Sequence, residues 1–236
     1  MAVLVLTWTS RRMTAFVPIS VPACVLSACG SGEPESSGAP ASSQEGCLLG
    51  NGCAIGEIGP GGGLVFLIFD GRTYEMAPAA WSGTETPDAG ATYCDDFTDA
   101  PAAIGTAVGT GAANTAAMAA STACSSDAAA AVLAYGPAGS SAGQWFLPSA
   151  DELNAMCNYS RNPTAPAAPT ESCYGSGGTT QNPTFTAGAY AFTSDDYWSS
   201  RQSDASGALA QIFDHGGALD SGKNFPPLRV RPVRAF

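Results

Sequence analysis

The stretch QWFLPSADELNAM, residues 144–156, carries the best-signalled helix of the chain. Ser149 is followed three positions on by Glu152. That pair is a capping box: the serine hydroxyl accepts from a first-turn amide while the glutamate reaches back to the serine's own amide. Leu153, Met156 and Cys157 then supply an apolar face. The stretch therefore predicts a helix that opens at Ser149 and lays one side on a core.

Upstream, GAANTAAMAASTA (111–123) is alanine-dominated and predicts a second helix. Ser126–Tyr135 predicts another, with Ser126 or Asp127 at its start and Gly136-Pro137 as its stop. GEIGPGGGLVFLIFD (56–70) reads as a glycine-rich turn entering a strand. A phosphate-binding loop would need Gly-Lys-Ser/Thr here, but Leu64 follows Gly63, and no βαβ unit follows to support a dinucleotide fingerprint. The glycines are read as shaping a turn. Asp70-Gly71-Arg72 then makes a hairpin to Thr73–Met76.

Residues 158–188 are rich in Pro, Gly, Thr and Asn and predict a long ordered loop. Short strands are expected at Ala191–Thr193, Tyr197–Ser200, Ala208–Phe213 and Leu228–Arg234, with a turn at Asp214-His215-Gly216-Gly217.

Only 12% of the residues are charged, and Ala, Gly, Ser and Thr abound, which suits a loop-rich extracytoplasmic protein. Twenty acidic residues oppose nine basic ones, net −11. Such a surface repels phosphate backbones and excludes general nucleic-acid binding.

The N-terminus reads as an address. Arg11-Arg12 precede an apolar run from Ala15 to Leu26, the layout of an export signal. Leu26-Ser27-Ala28-Cys29 resembles a bacterial lipobox, which makes Cys29 the acylation candidate. The following Gly/Pro/Ser-rich segment reads as a flexible tether. The expected organisation is a signal peptide (1–28), a tether (29–45) and one domain (46–236). Membrane attachment is expected through the N-terminal lipid.

Six cysteines remain in the body: Cys47, Cys53, Cys94, Cys124, Cys157 and Cys173. An even number in an exported chain implies disulfides, with 15 possible pairings. Short spans favour Cys47–Cys53, Cys94–Cys124 and Cys157–Cys173. No C-x-x-C pair is present to suggest zinc. Neither a metal nor a cofactor is expected.

Seven phrases then fall in a familiar order: IGPGGGLVF (58–66), EMAPAAW (75–81), GTAVGTGAANTAAM (105–118), QWFLPSADELNAM (144–156), YWSS (197–200), ALAQIFDHG (208–216) and RVRPVRAF (229–236). Together they resemble the DUF1566 family, of which the C-terminal domain of a Legionella collagen-like adhesin is a member. The resemblance runs from about Ile58 to Phe236. It implies an α+β domain of C-type-lectin-like type, with short twisted antiparallel strands, two to three helices and long disulfide-closed loops. It also implies a place at the cell surface, and some members bind sulfated glycans. The calcium motifs of ordinary C-type lectins, Glu-Pro-Asn or Gln-Pro-Asp with Trp-Asn-Asp, do not occur here.

A hydrolase triad would have to join His215 to Ser199, Ser200 or Ser203. No G-x-S-x-G elbow surrounds these serines, and His215 sits in a turn signal. No motif places a carboxylate pair, and six pairable cysteines argue against thiol-based oxidase chemistry. The chain is therefore read as a non-enzymatic binding module whose partner is a glycan or an envelope or host protein. The alternative is a structural or assembly component of the envelope, and a surface hydrolase ranks third. The candidate ligand-binding residues are Trp198, Arg201, Lys223, Arg229 and Arg231. Strand alternation puts Arg229 and Arg231 on one face, and pairing with Asp195, Asp196 or Asp214 is the expected structural use of these arginines. Trp81, Trp145 and Trp198 are the aromatic faces a sugar could stack on, with core packing as their structural use.

Overall fold

A two-residue hairpin turn organises the first sheet. In the computed structural model, which describes residues 47, 52–83, 88–95, 103–174, 181–224 and 227–236, strands β1 (Leu64–Phe69) and β2 (Arg72–Met76) are joined by Asp70 and Gly71. Both have positive φ, 48° and 74°. That geometry matches the twist of the flanking strands. The C-terminal strand β8 (Val233–Ala235) pairs with β2, giving a three-stranded antiparallel sheet in the order β1-β2-β8. The expected signal peptide, the acylation candidate Cys29 and the tether lie outside the described residues.

The second sheet is built from β3 (Gly90–Ala91), β4 (Asp196–Gln202), β5 (Gly207–Ile212), β6 (Ala218–Gly222) and β7 (Leu228–Arg229). Its order is β3-β7-β4-β5-β6, with β7 parallel to β4 at Tyr197↔Arg229. Three α-helices, α1 (Gly111–Ala120), α2 (Asp127–Ala134) and α3 (Ala150–Arg161), and a short 3-10 helix at Pro183–Phe185 accompany the sheets. The architecture is thus mixed α+β, with two sheets and disulfides.

The helix starts follow their caps. Ser149 Oγ accepts from Glu152 N at 3.2 Å, and Glu152 Oε2 accepts from Ser149 N at 2.7 Å. Ser126 Oγ accepts from Ala129 N at 3.1 Å and opens α2. Glu152 does more than cap its own helix. It also accepts from Gly109 N at 2.7 Å and so ties the start of α3 to the turn before α1. A Cβ at Gly111 would overlap this carboxylate.

Consecutive residues of β4 serve two cores. Trp198 faces the cluster that includes Met118 of α1 and Val132 of α2. Tyr197 faces the other cluster, with Met156 of α3, Phe66 of β1 and Phe213. The period-2 alternation of a strand makes this division possible, and the buried run Tyr197–Ser200 is its sequence trace.

The disulfides are Cys47–Cys53, Cys94–Cys124 and Cys157–Cys173, the pairings that short spans favour. Within the long loop, Asn154 Nδ2 donates to the carbonyls of Pro169 and Glu171 at 2.7 Å each, and Asn158 Nδ2 to that of Glu171 at 2.9 Å. Side chains of α3 therefore hold the 162–174 segment where backbone pairing does not.

Some strand expectations need correction. Ala191–Thr193 is not a strand. Leu228–Arg234 is two strands in different sheets, because Pro232 has no amide hydrogen for a ladder. Both β3 and β6 carry no clear sequence signal.

The glycine-rich turn has a specific use. Gly61 N and Gly63 N each donate to the Glu75 carboxylate at 3.1 Å, and Arg234 Nη1 pairs with it at 2.8 Å. A Cβ at Gly59 or Gly61 would overlap Glu75. The loop that resembles a phosphate cradle thus holds an internal carboxylate. Burial pushes the Glu75 pKa up, while Arg234 pulls it back.

Candidate functional site

The C-terminal LRVRPVRAF puts three arginines to three uses. Arg231 is sealed in the interior. Its Nε and Nη2 clasp the buried Asp88 carboxylate. Nη1 donates to Ala77 O at 3.2 Å and Nη2 to Ala191 O at 2.6 Å, with the guanidinium 4.3 Å from the Phe192 ring centroid. Tyr197 Oη donates to Asp88 Oδ2 at 2.6 Å. Burial first, and then the Asp88 charge, push the Tyr197 pKa up. A buried ion pair is tolerable when the rest of its hydrogen-bonding capacity is used, as it is here. Arg234 is the second use, the partner of Glu75 described above.

Arg229 is the third, and it is open. Its side chain is 31% exposed and that of its partner Asp195 is 53% exposed. Nε donates to Asp195 Oδ2 at 2.8 Å and Nη1 to the Asp88 carbonyl at 3.0 Å. Nη2 has no hydrogen-bond partner among the described residues. The guanidinium lines a cleft of about 610 Å³ with Gly90, Ser194, Asp195, Asp196 and Leu228. Burial, followed by the charge of Asp195, raises the Asp196 pKa, and His215 opposes that rise.

The elements bring these groups together for a simple reason. Parallel pairing of β7 with β4 sets Arg229 beside Tyr197, and the residues entering β4 are Ser194, Asp195 and Asp196. The cleft offers carboxylates that accept, a guanidinium that donates and a hydroxyl that does both. That set suits a ligand rich in neutral hydroxyls. Two carboxylates against one guanidinium disfavour a polyanion.

Compared with protein-family models and with curated proteins, the chain matches none.

The other sequence-nominated residues lie elsewhere. Trp198 is fully buried. Its Nε1 donates to Ala91 O at 2.9 Å and its ring meets Tyr93 edge-on. Lys223 is also buried, with Nζ 3.3 Å from Gln202 Oε1 and 5.8 Å from the Tyr93 ring centroid. The expectation that Trp198, Lys223 and Arg231 meet a ligand is therefore corrected: burial removes all three from any reachable surface. Arg201 stays half-buried towards the far end of β4, donates from Nε to Ile104 O at 3.3 Å and does not line the cleft. Trp81 and Trp145 also spend their indole donors internally, on Val230 O and Ser140 Oγ.

The serines and the histidine do not assemble. Ser199 Oγ donates to Leu209 O at 2.7 Å, and Ser200 Oγ accepts from Asn114 Nδ2 at 3.1 Å. His215 lies in the β5–β6 turn, where its Nδ1 accepts from Gly217 N at 3.3 Å. No group of three or more His, Cys, Asp or Glu among the described residues is placed to hold a metal. The residue that sequence reasoning missed is Asp88. It sits in TPDAG with no periodic signal, and its partner Arg231 lies 143 positions away.

Proposed function

We propose that this chain is an exported, lipid-anchored binding module of C-type-lectin-like, DUF1566-related type. In this reading it recognises a neutral glycan, free or carried by a partner protein, at the cleft between Ser194–Asp196 and Leu228–Arg229. The observation that carries the proposal is the open Arg229–Asp195 pair in a polar cleft of about 610 Å³. Three disulfides support an oxidising, exported setting. The α+β build with long closed loops is what the family resemblance implies. Attachment through acylated Cys29 remains the expectation drawn from the lipobox.

The test is an array of neutral and sulfated glycans probed with residues 46–236, followed by Arg229→Ala. Binding of neutral glycans that weakens at least tenfold in the variant, with an unchanged melting temperature, supports the reading. Binding to no glycan, or full retention in the variant, sinks it.

A second reading, an envelope assembly component with no small ligand, draws on a different surface. Ile68, Phe69 and Phe236 are large apolar side chains, each at least 40% exposed, around the β1–β2–β8 sheet. Pull-down of an envelope protein that Arg229→Ala leaves intact would favour it.

A further inference from the structure

Two non-glycine residues among the described ones have positive φ, Asp70 at 48° and Asp88 at 52°. At Asp70 the β1–β2 hairpin demands it. Asp88 is different. It is fully buried, two positions before β3, and its Cβ makes the left-handed region unfavourable. Such a conformation persists only where the surroundings over-determine it, and those places cluster at ligand clamps.

The surroundings of Asp88 do over-determine it. Its amide donates to Ala79 O at 2.8 Å. Its carboxylate is clasped by Arg231 Nε and Nη2 and accepts from Tyr197 Oη at 2.6 Å. Tyr197 Oη in turn accepts from Thr193 N at 3.0 Å. The next residue is fixed as well, because Ala89 O accepts from Val230 N at 3.0 Å. That leaves the Asp88 carbonyl, and its oxygen accepts from Arg229 Nη1 at 3.0 Å. A carbonyl's direction is set by the backbone angles of its own residue.

This second anchor matters for Arg229. Held by Nε alone, on the exposed Asp195, the guanidinium would swing with that surface side chain. Bonds at both Nε and Nη1 fix the plane of the fork and leave Nη2 as the edge turned to the cleft. We propose that Asp88 is the positioning residue of the Arg229 cleft. Held left-handed by Arg231 and Tyr197, it turns its carbonyl to Arg229 and so fixes which N–H edge a ligand meets. This rests on the reading of Arg229 as the recognition group of the cleft. Asp88 does not line the cleft and acts through Arg229.

The test is nitrogen NMR of the full, oxidised chain with isotope-labelled arginine, reading rotation about the Arg229 Cζ–Nε bond with no glycan present. Two double variants are compared, Asp88→Asn/Arg231→Gln and Asp88→Ala/Arg231→Gln. Each removes both charges, so neither strands a buried ion. Asn tolerates the left-handed region and keeps a short side-chain acceptor, whereas Ala does neither. Rotation should stay near the wild-type rate in the Asn variant. In the Ala variant it should be about tenfold faster, the loss of one hydrogen bond from a charged donor. Asp195→Ala alters an exposed side chain and keeps the test decisive where the Ala variant does not fold. Slow rotation should survive in it, because Nη1 stays on Asp88 O. Unchanged rotation in Asp88→Ala/Arg231→Gln, equally fast rotation in the Asn variant, or free rotation in Asp195→Ala would each overturn the proposal. On an array of neutral glycans, the Asn variant should bind like wild type and the Ala variant about tenfold more weakly; equal binding by the two also overturns it. A wild-type chain that binds no glycan ends the glycan reading and leaves the NMR result to decide the positioning.

Discussion

Arg229 and Arg231 stand two positions apart in one C-terminal segment, yet one is open to solvent and the other is sealed. Both contact Asp88, Arg231 through its carboxylate and Arg229 through its carbonyl. The difference lies in what surrounds the rest of each guanidinium. Around Arg231, a carboxylate, two carbonyls and an aromatic face consume its bonding capacity. Around Arg229, one amino group is left over in a cleft. Identical side chains in one short segment therefore divide into scaffold and candidate recognition group. Arg234 stands between them, with 14% side-chain exposure.

This gradient yields ordered predictions. Arg231→Ala strands a buried carboxylate and should cost about 3–5 kcal/mol, read as the shift in a urea unfolding midpoint. Arg231→Lys should rescue little of that loss, because an ammonium cannot reproduce the planar fork. A cost below about 1 kcal/mol would break the contrast.

Arg234→Ala should cost less, about 1–3 kcal/mol at neutral pH, because Glu75 keeps the amides of Gly61 and Gly63. Its penalty should depend on pH. The folded-state pKa of Glu75 is raised, so its contribution is present below the unfolded value and lost as pH rises through the folded value. Removing Arg234 deletes the group that pulls this pKa down, and the loss with rising pH becomes steeper. The melting-temperature gap between wild type and Arg234→Ala should therefore widen from acid to neutral pH. A gap that narrows would refute the assignment.

Arg229→Ala should cost under about 1 kcal/mol, since exposed ion pairs contribute little. High salt should erase even that difference, whereas it should leave the Arg231→Ala penalty nearly unchanged. Chemical denaturation with and without added NaCl reads both.

Much of the secondary structure was legible in the sequence because its causes are local. Ser149 and Glu152 lie within one helical turn, and the positive φ at Asp70 and Gly71 needs only a turn-forming pair. Short spans favoured the neighbouring cysteine pairings among the 15 possible, and the structure contains those pairs. The candidate site was legible only in part. Arg229 and its pairing with Asp195 were nominated, but Trp198, Lys223 and Arg231 carried chemistry without any sign of burial. A strand pattern shows which residues alternate, but it does not show whether both faces will be covered. In β4 they are, by α1 and α2 on one side and α3 on the other.

The sequence by itself determined the helix caps, the first hairpin and the acidic balance, each set by residues close in the chain or by composition, and it favoured the neighbouring cysteine pairs that the structure then fixed. Only the tertiary structure decided that the glycine-rich turn holds Glu75 and that Arg231 closes on Asp88 from 143 positions away. It also left Arg229 facing a cleft. The physical reason is that a charged group's role depends on how many of its bonds the surrounding fold consumes, and that count exists only once distant segments have met.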